Sequence, residues 1–160
     1  MPTSEELDEA LWEGIESERT IMLGLDGVED GHARPMTGLI EGHKGPIWFF
    51  TATDNALVQK VTEGSRAIAT FVSKNHDLFA TIHGGLSVST DRATIDRLWN
   101  PFIAAWYKGK DDPKLILLRL DTERAEIWED ASSFVAGIKT IFGGEPRKDY
   151  RDKVANVSLT

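Results

Sequence analysis

The first twenty-five residues show a helical hydrophobic period that changes directly into a strand-like one. Residues Thr3 to Glu6 form a capping-box pattern, with a hydroxyl residue three positions before a glutamate. Apolar residues then recur at helical spacing on one face: Leu7, Ala10, Leu11 and Ile15. From Thr20 to Leu25 the apolar residues alternate, as in a half-buried strand. The pattern therefore predicts a helix over 3–18 followed by a strand.

Two more strands are predicted, over 33–41 and 47–51. The Asp-Gly pairs at 26–27 and 30–31 indicate a hairpin loop before the first of them, and Pro35 marks an edge or an irregularity within it. Asp54 is then placed to cap a short helix with four apolar residues: Ala56, Leu57, Val58 and Val61.

The middle of the chain predicts a hairpin and two helical stretches. The hairpin joins 67–73 to 78–83, and Gly84-Gly85 predicts a bulge before a strand over 86–89. Asp91 is placed to cap a helix, and Pro101 kinks it or begins a new helical stretch that runs to Tyr107.

The last part of the chain predicts two separate strands, at 115–120 and 124–129, a helix at 134–142 and a loose polar tail at 145–160. Together the elements predict one mainly β domain over 1–160, a β-barrel at about 20–130 with peripheral helices. Barrel closure would remove the exposed edges of so many short strands.

Composition narrows the function classes. The 160 residues carry a formal net charge of −8 and no cysteine, which argues against nucleic-acid binding and excludes disulfides, thiolate metal sites and a cysteine nucleophile. With no signal-peptide pattern and no apolar run of membrane-spanning length, we expect a cytoplasmic protein without a membrane partner. The four histidines are scattered over predicted loops and strand ends, so no metal site is predicted: His32, His43, His76 and His83.

Two local features carry candidate chemistry, each with a structural alternative. Arg34 stands in a strand among small or apolar residues, where it is a candidate anion ligand or a partner in a surface salt bridge. The run from Trp48 to Thr51 is aromatic on both strand faces, so a flat ligand covers it or the core buries it.

The order of several segments resembles the general stress protein branch of the pyridoxamine 5′-phosphate oxidase-like, FMN-binding split-barrel family. The segments run from about Leu7 to Phe142: Ala33-Arg34-Pro35-Met36-Thr37, Trp48-Phe49-Phe50-Thr51, Leu98-Trp99-Asn100-Pro101, Ala105-Trp106, Lys110-Asp111-Asp112-Pro113, Leu117-Leu118-Arg119-Leu120-Asp121 and Ala125-Glu126-Ile127-Trp128. Their joint order and spacing, more than any single motif, carry the resemblance.

The resemblance implies a split β-barrel homodimer with FMN bound at the subunit interface. It assigns Arg34 to the phosphate and places Pro35, Met36 and Thr37 along the flavin. The ring and ribityl chain would contact Phe49, Phe50 and Thr51. Other implied cofactor residues are Asn55 and Leu57 in the following turn, Lys110, and Trp128 from the partner subunit.

The chain departs from the family pattern at the phosphate site. Leu57 replaces an expected lysine and Ala56 stands where some relatives have arginine, so Lys60 or Lys110 would have to substitute. The carboxy-terminal arginine and the long carboxy-terminal segment of true pyridoxamine phosphate oxidases have no counterpart, which argues against vitamin B6 oxidation.

Three functional hypotheses remain open at this stage. The chain is an FMN-dependent oxidoreductase linked to the stress response, a non-catalytic flavin-binding or redox-sensing module, or a barrel that has lost FMN and holds another ligand, such as a deazaflavin, or none. A flavin would carry the electron chemistry itself. No side chain is identified as an acid, base or nucleophile.

Overall fold

The computed structural model describes residues 2–129 and 154–160. Four α-helices and seven strands occur there: α1 (Ser4–Glu18), β1 (Thr20–Leu25), β2 (Arg34–Thr37), β3 (Ile47–Ala52), α2 (Ala56–Lys60), β4 (Arg66–Val72), β5 (Leu78–Ser89), α3 (Arg92–Leu98), α4 (Pro101–Ala104), β6 (Leu115–Glu129) and β7 (Val154–Ser158). A single turn of 3₁₀ helix at Glu29–Gly31 lies in the β1–β2 connection.

The strands form one antiparallel sheet in the order β2-β1-β4-β5-β6-β3, and β7 adds to β6. The two ends of this path meet, because Leu39, just after β2, forms a bridge with Trp48 of β3. Both backbone hydrogen bonds of that bridge measure 2.8 Å. The predicted mainly β fold, a split barrel with peripheral helices, is therefore confirmed, and closure protects strand edges that would otherwise be exposed.

Helix α1 packs its apolar stripe into the larger of two cores. The capping box predicted at its start is present: the Thr3 hydroxyl accepts a hydrogen bond from the Glu6 amide, and the Glu6 carboxylate accepts one from the Thr3 amide. Leu7, Leu11 and Ile15 are buried as the spacing predicted. Trp12 is buried beside them, and its indole nitrogen donates to Asp8 at 2.9 Å.

Strand β3 separates the two cores because its side chains alternate between them. Ile47 and Phe49 belong to the larger core with α1, whereas Trp48 and Phe50 belong to a smaller core beneath α3 and α4. Phe50 meets Trp99 edge to face, with ring centroids 5.9 Å apart. The aromatic run is therefore buried on both faces. The packing of these side chains holds β3 in place, and a ligand would lie against this strand.

The two strands predicted at 115–120 and 124–129 are one strand, β6. Asp121 and Thr122, between the two predicted segments, pair with Gly85 and Gly84 of β5. The register shifts at the predicted position, between His83 and Gly84, but the extra residue is Glu123 of β6. Tertiary pairing with β5 thus overrides a local polar signal.

The tail predicted to be loose contains a strand. Residues Val154–Ser158 pair with Arg124 to Trp128 of β6, and Val157 is buried in the larger core. The predicted helix at 134–142 lies outside the described residues.

Three smaller predictions also need correction. Asn55, rather than Asp54, caps α2 by accepting a bond from the Leu57 amide at 2.9 Å. The helical stretch after Asn100 begins with Pro101 but ends at Ala104, before Tyr107. The second strand extends only over Arg34–Thr37, and two residues later Leu39 bridges Trp48 of β3 instead of continuing along β1.

Candidate functional site

A groove of about 380 Å³ opens where β2, the end of β3 and α4 meet. Five residues predicted to contact a flavin line it: Pro35, Met36, Thr37, Phe50 and Thr51. Its volume lies within the range of ligand pockets, roughly 300–1,000 Å³. The barrel therefore brings together the two segments that the sequence marked separately, Arg-Pro-Met-Thr and Trp-Phe-Phe-Thr.

The other wall of the groove consists of residues that the site prediction omitted. Phe102, Ile103, Trp106 and Tyr107 come from α4 and the turn after it, and Ala52 completes the lining. Phe102 is 61% exposed and Trp106 is 74% exposed, although such large apolar side chains are usually covered. The sequence signal that could have indicated this wall is the Asn-Pro start of a helix. Asn100 caps α4, and the second residue of that helix, Phe102, lines the groove.

A second groove, of about 550 Å³, shares Thr37 and Phe102 with the first. It continues towards the end of α1 and is lined there by Glu18 and Arg19. The two grooves together form an open surface rather than an enclosed cavity, so a ligand here would remain partly exposed on this chain alone.

Arg34, the predicted phosphate ligand, forms an ion pair with Glu29. Its guanidinium donates both terminal nitrogens to the carboxylate, at 2.6 and 3.4 Å. This hydrogen bond from Arg34 lowers the pKa of Glu29, and the charge of Lys60 lowers it further. The carboxylate therefore stays ionised at neutral pH, and the stabilisation from the pair is lost only as pH falls through this lowered pKa. Arg34 and Lys60 place two cations around one carboxylate near the groove.

Two predicted ligand side chains point away from the groove. Leu57 is 0% exposed and packs in the larger core, so the prediction that it faces a cofactor phosphate is wrong. Phe49 is also 0% exposed and packs in that core, and its backbone pairs with Leu118 of β6. The periodicity of β3 and α2 places both on the inward face.

The remaining predicted residues lie apart from the groove lining. Asn55 uses its side chain to cap α2. Lys110 forms an ion pair with Asp96 at 3.5 Å, and its carbonyl accepts a bond from Arg92. Trp128 stands at the far end of β6 from Leu115, which pairs with Ala52 of the groove. The 13 residue-to-residue steps from Leu115 to Trp128 correspond to about 40 Å along the strand.

None of the described helices is long and apolar enough to span a membrane.

Residues 6–145 match the protein-family model described as pyridoxamine 5′-phosphate oxidase like. Among solved structures, the chain is similar to a general stress family protein from Xanthomonas campestris pv. campestris. The identity is 60%, over 83% of this chain and 93% of the other, with a TM-score of 0.79. No curated protein matches the chain.

Two further solved structures extend the comparison. The general stress FMN/FAD binding protein of Xanthomonas citri is 60% identical over 81% of this chain and 92% of its own, with a TM-score of 0.77. General stress protein 26 from Jannaschia sp. CCS1 is 26% identical over 98% of this chain and 99% of its own, with a TM-score of 0.78.

Proposed function

The chain belongs to the pyridoxamine 5′-phosphate oxidase-like family, and from this premise we propose that it binds FMN in the groove between β2, β3 and α4. The observation that carries the proposal is the convergence, on one groove, of five residues from the two separate segments that the family resemblance assigns to the flavin. A similar protein, the general stress protein of Xanthomonas citri, is named as an FMN/FAD binding protein, which supports a flavin ligand.

The chemistry of the groove fits a flat, partly polar ring. Met36, Phe50, Phe102 and Trp106 supply apolar and aromatic walls, which favour an isoalloxazine. Thr37 and Thr51 add hydroxyl groups and strand backbone to the same lining. These groups would bind the polar edge of the ring and orient it, while the aromatic walls exclude water.

The phosphate would bind at Arg34, beyond the end of the groove lining. Its planar guanidinium matches phosphate oxygens, and Lys60 supplies a second positive charge near the same carboxylate. Glu29 competes with the phosphate for Arg34. We therefore propose that Arg34 and Lys60, rather than residue 57, form the phosphate site, and that the Glu29 pair limits its strength.

A bound flavin would supply the electron transfer, and the residues of this chain would bind and orient it. We propose oxidoreductase activity linked to the stress response, with none of the described side chains assigned as acid or base. The cytoplasm is the proposed location.

We further propose that the functional unit is a homodimer. The outer face of the sheet carries exposed apolar side chains on three adjacent strands: Met22, Val72 and Phe79. Trp128 lies opposite Phe79 in the β5–β6 ladder and extends this patch. Because this chain's own Trp128 lies far along β6 from the groove, we propose that Trp128 of the partner subunit is the one that reaches the bound flavin.

The phosphate assignment is tested by comparing FMN, FAD and riboflavin binding to Arg34→Ala by fluorescence titration. Removing a charge-assisted hydrogen bond costs about 1.5–3 kcal/mol, which is roughly a 10- to 150-fold loss of affinity. We expect that loss for FMN and little change for riboflavin, which has no phosphate. Lys60→Gln should produce a smaller loss with the same ligand preference.

The matched control is Arg97→Ala, which removes another arginine that is ion-paired to a glutamate, Glu41. It should leave FMN affinity unchanged. Equal weakening of FMN and riboflavin by Arg34→Ala would exclude Arg34 as the phosphate ligand. A purified chain that binds none of the three flavins would refute the proposed function as a whole.

Oxidation of a nicotinamide by the flavin-loaded protein separates the enzyme from a non-catalytic flavin-binding or redox-sensing module. We expect the absorption of the bound flavin to bleach under anaerobic conditions when the reduced nicotinamide is added, and to return with oxygen. A flavin that stays oxidised would favour the binding module.

A further inference from the structure

A cluster of potential metal ligands lies on the opposite side of α1 from its buried stripe. Glu9, Glu13 and Glu16 follow one another at helical spacing and are exposed. The turn between β2 and β3 brings His43 against them. The ligand atoms of Glu9, Glu13 and His43 all lie within 4.8 Å of one another.

The two ring nitrogens of His43 have different surroundings. Nε2 lies 2.8 Å from a carboxylate oxygen of Glu16, and Nδ1 contacts Glu9. A histidine that coordinates a metal commonly donates its other ring N–H to a carboxylate, which fixes the tautomer and the ring orientation. Glu16 provides such a partner at Nε2, so a metal would bind at Nδ1, where it would displace to solvent the proton that this nitrogen shares with Glu9.

Glu13 is a third carboxylate beside His43, which needs only two hydrogen-bond partners for its two ring nitrogens. Glu9 and Glu16 already contact both ring nitrogens, yet a carboxylate oxygen of Glu13 also lies within 4.8 Å of the ligand atoms of Glu9 and His43. Three carboxylates around one imidazole leave excess negative charge, which a divalent cation would neutralise. One nitrogen and two oxygen ligands suit zinc and neighbouring first-row ions, with metal–ligand distances of about 2.0–2.2 Å for zinc.

We propose that Glu9, Glu13 and Nδ1 of His43 bind one divalent transition-metal ion, with Zn²⁺ as the representative, and that Glu16 positions the imidazole. Water would complete the coordination shell, because the cluster lies on the surface. The exposed glutamate side chains can close the remaining distance by rotamer changes.

A metal here would join two parts of the fold that are distant in sequence. His43 belongs to the turn that connects β2 to β3, the two strands that carry Thr37 and Phe50 into the groove. Glu9 and Glu13 belong to α1, which packs on the barrel core. The ion would therefore fasten this turn to α1 and raise the melting temperature, whether or not a flavin is bound.

The test is calorimetric titration of the tag-free, chelator-treated protein with Zn²⁺ alone. We expect one ion per chain, with affinity lowered at least tenfold by His43→Ala and by Glu13→Gln. Glu13→Gln is the sharper variant, because it leaves the contacts of His43 with Glu9 and Glu16 in place. His76→Asn, at an exposed histidine in the β4–β5 turn, is the matched control and should bind like the unchanged chain.

Nitrogen NMR of the histidine ring tests the role of Glu16. In the presence of Zn²⁺ we expect the Nδ1 resonance of His43 to shift while Nε2 remains protonated, and Glu16→Gln should reduce this tautomer preference and the affinity about tenfold. Unchanged zinc binding by His43→Ala or Glu13→Gln, or no binding at millimolar Zn²⁺, would overturn the proposal. Flavin binding is measured separately, so either proposal can fail alone.

Discussion

At the residue scale, Leu57 shows how burial decides what a side chain can do. It occupies the position at which the family resemblance suggested a missing phosphate-binding lysine, but it packs in the larger core with Val58. A lysine there would have to bury its ammonium group or unfold the end of α2. The family pattern alone leads to the expectation that Leu57→Lys would add a phosphate ligand and tighten FMN binding, but the burial of this position predicts lost stability instead.

We expect Leu57→Lys to lower the free energy of unfolding by at least the 2–5 kcal/mol that roughly describes buried leucine-to-alanine changes, because the charge must also be desolvated. Urea unfolding measures this, with Val28→Lys in an exposed loop as the control. A Leu57→Lys variant of unchanged stability and tighter FMN binding would restore the original expectation.

At the element scale, a shift of register between β5 and β6 lets the two long strands pair along almost their whole length. The register shifts between His83 and Gly84. A Cβ on Gly84 would lie only 2.0 Å from the carbonyl oxygen of Asp121, whereas one on Gly85 would meet nothing closer than 4.0 Å. The first glycine is thus required by the close approach of the β6 backbone, and the second is not.

Gly84→Ala should therefore destabilise the protein by about 1–3 kcal/mol, the usual cost of overpacking, and Gly85→Ala should have little effect. Thermal and urea unfolding of the pair provide the comparison. If the two alanine variants unfolded alike, the close backbone approach at Gly84 would not be the reason for its glycine.

At the scale of the whole molecule, the exposed apolar patch on the outer sheet face predicts association. We expect a dimer in sedimentation velocity at micromolar concentration, with an interface of roughly 2,000 Å² or more. Phe79→Glu places a charge in the centre of the patch and should shift the protein towards monomer and weaken flavin binding together, whereas Val28→Glu, at an exposed residue outside the patch, should leave the protein a dimer. A Phe79→Glu monomer that kept full flavin affinity would show that one chain suffices for the site.

The sequence by itself determined the local structure and the two segments of the candidate groove. Capping at Thr3 and the apolar stripe of α1 depend on residues close in the chain, so their signals can be read locally. The joint order and spacing of seven segments, the Arg-Pro-Met-Thr and Trp-Phe-Phe-Thr segments among them, predicted the family and the split-barrel fold.

Only the tertiary structure decided which side chains meet. The pairing of Arg34 with Glu29, the inward direction of Phe49 and Leu57, the addition of β7 to β6 and the docking of His43 on α1 all follow from contacts or choices of face made by the whole barrel. Alternation predicts that a strand has two faces but not which of them is buried, because register is set by partners elsewhere in the chain.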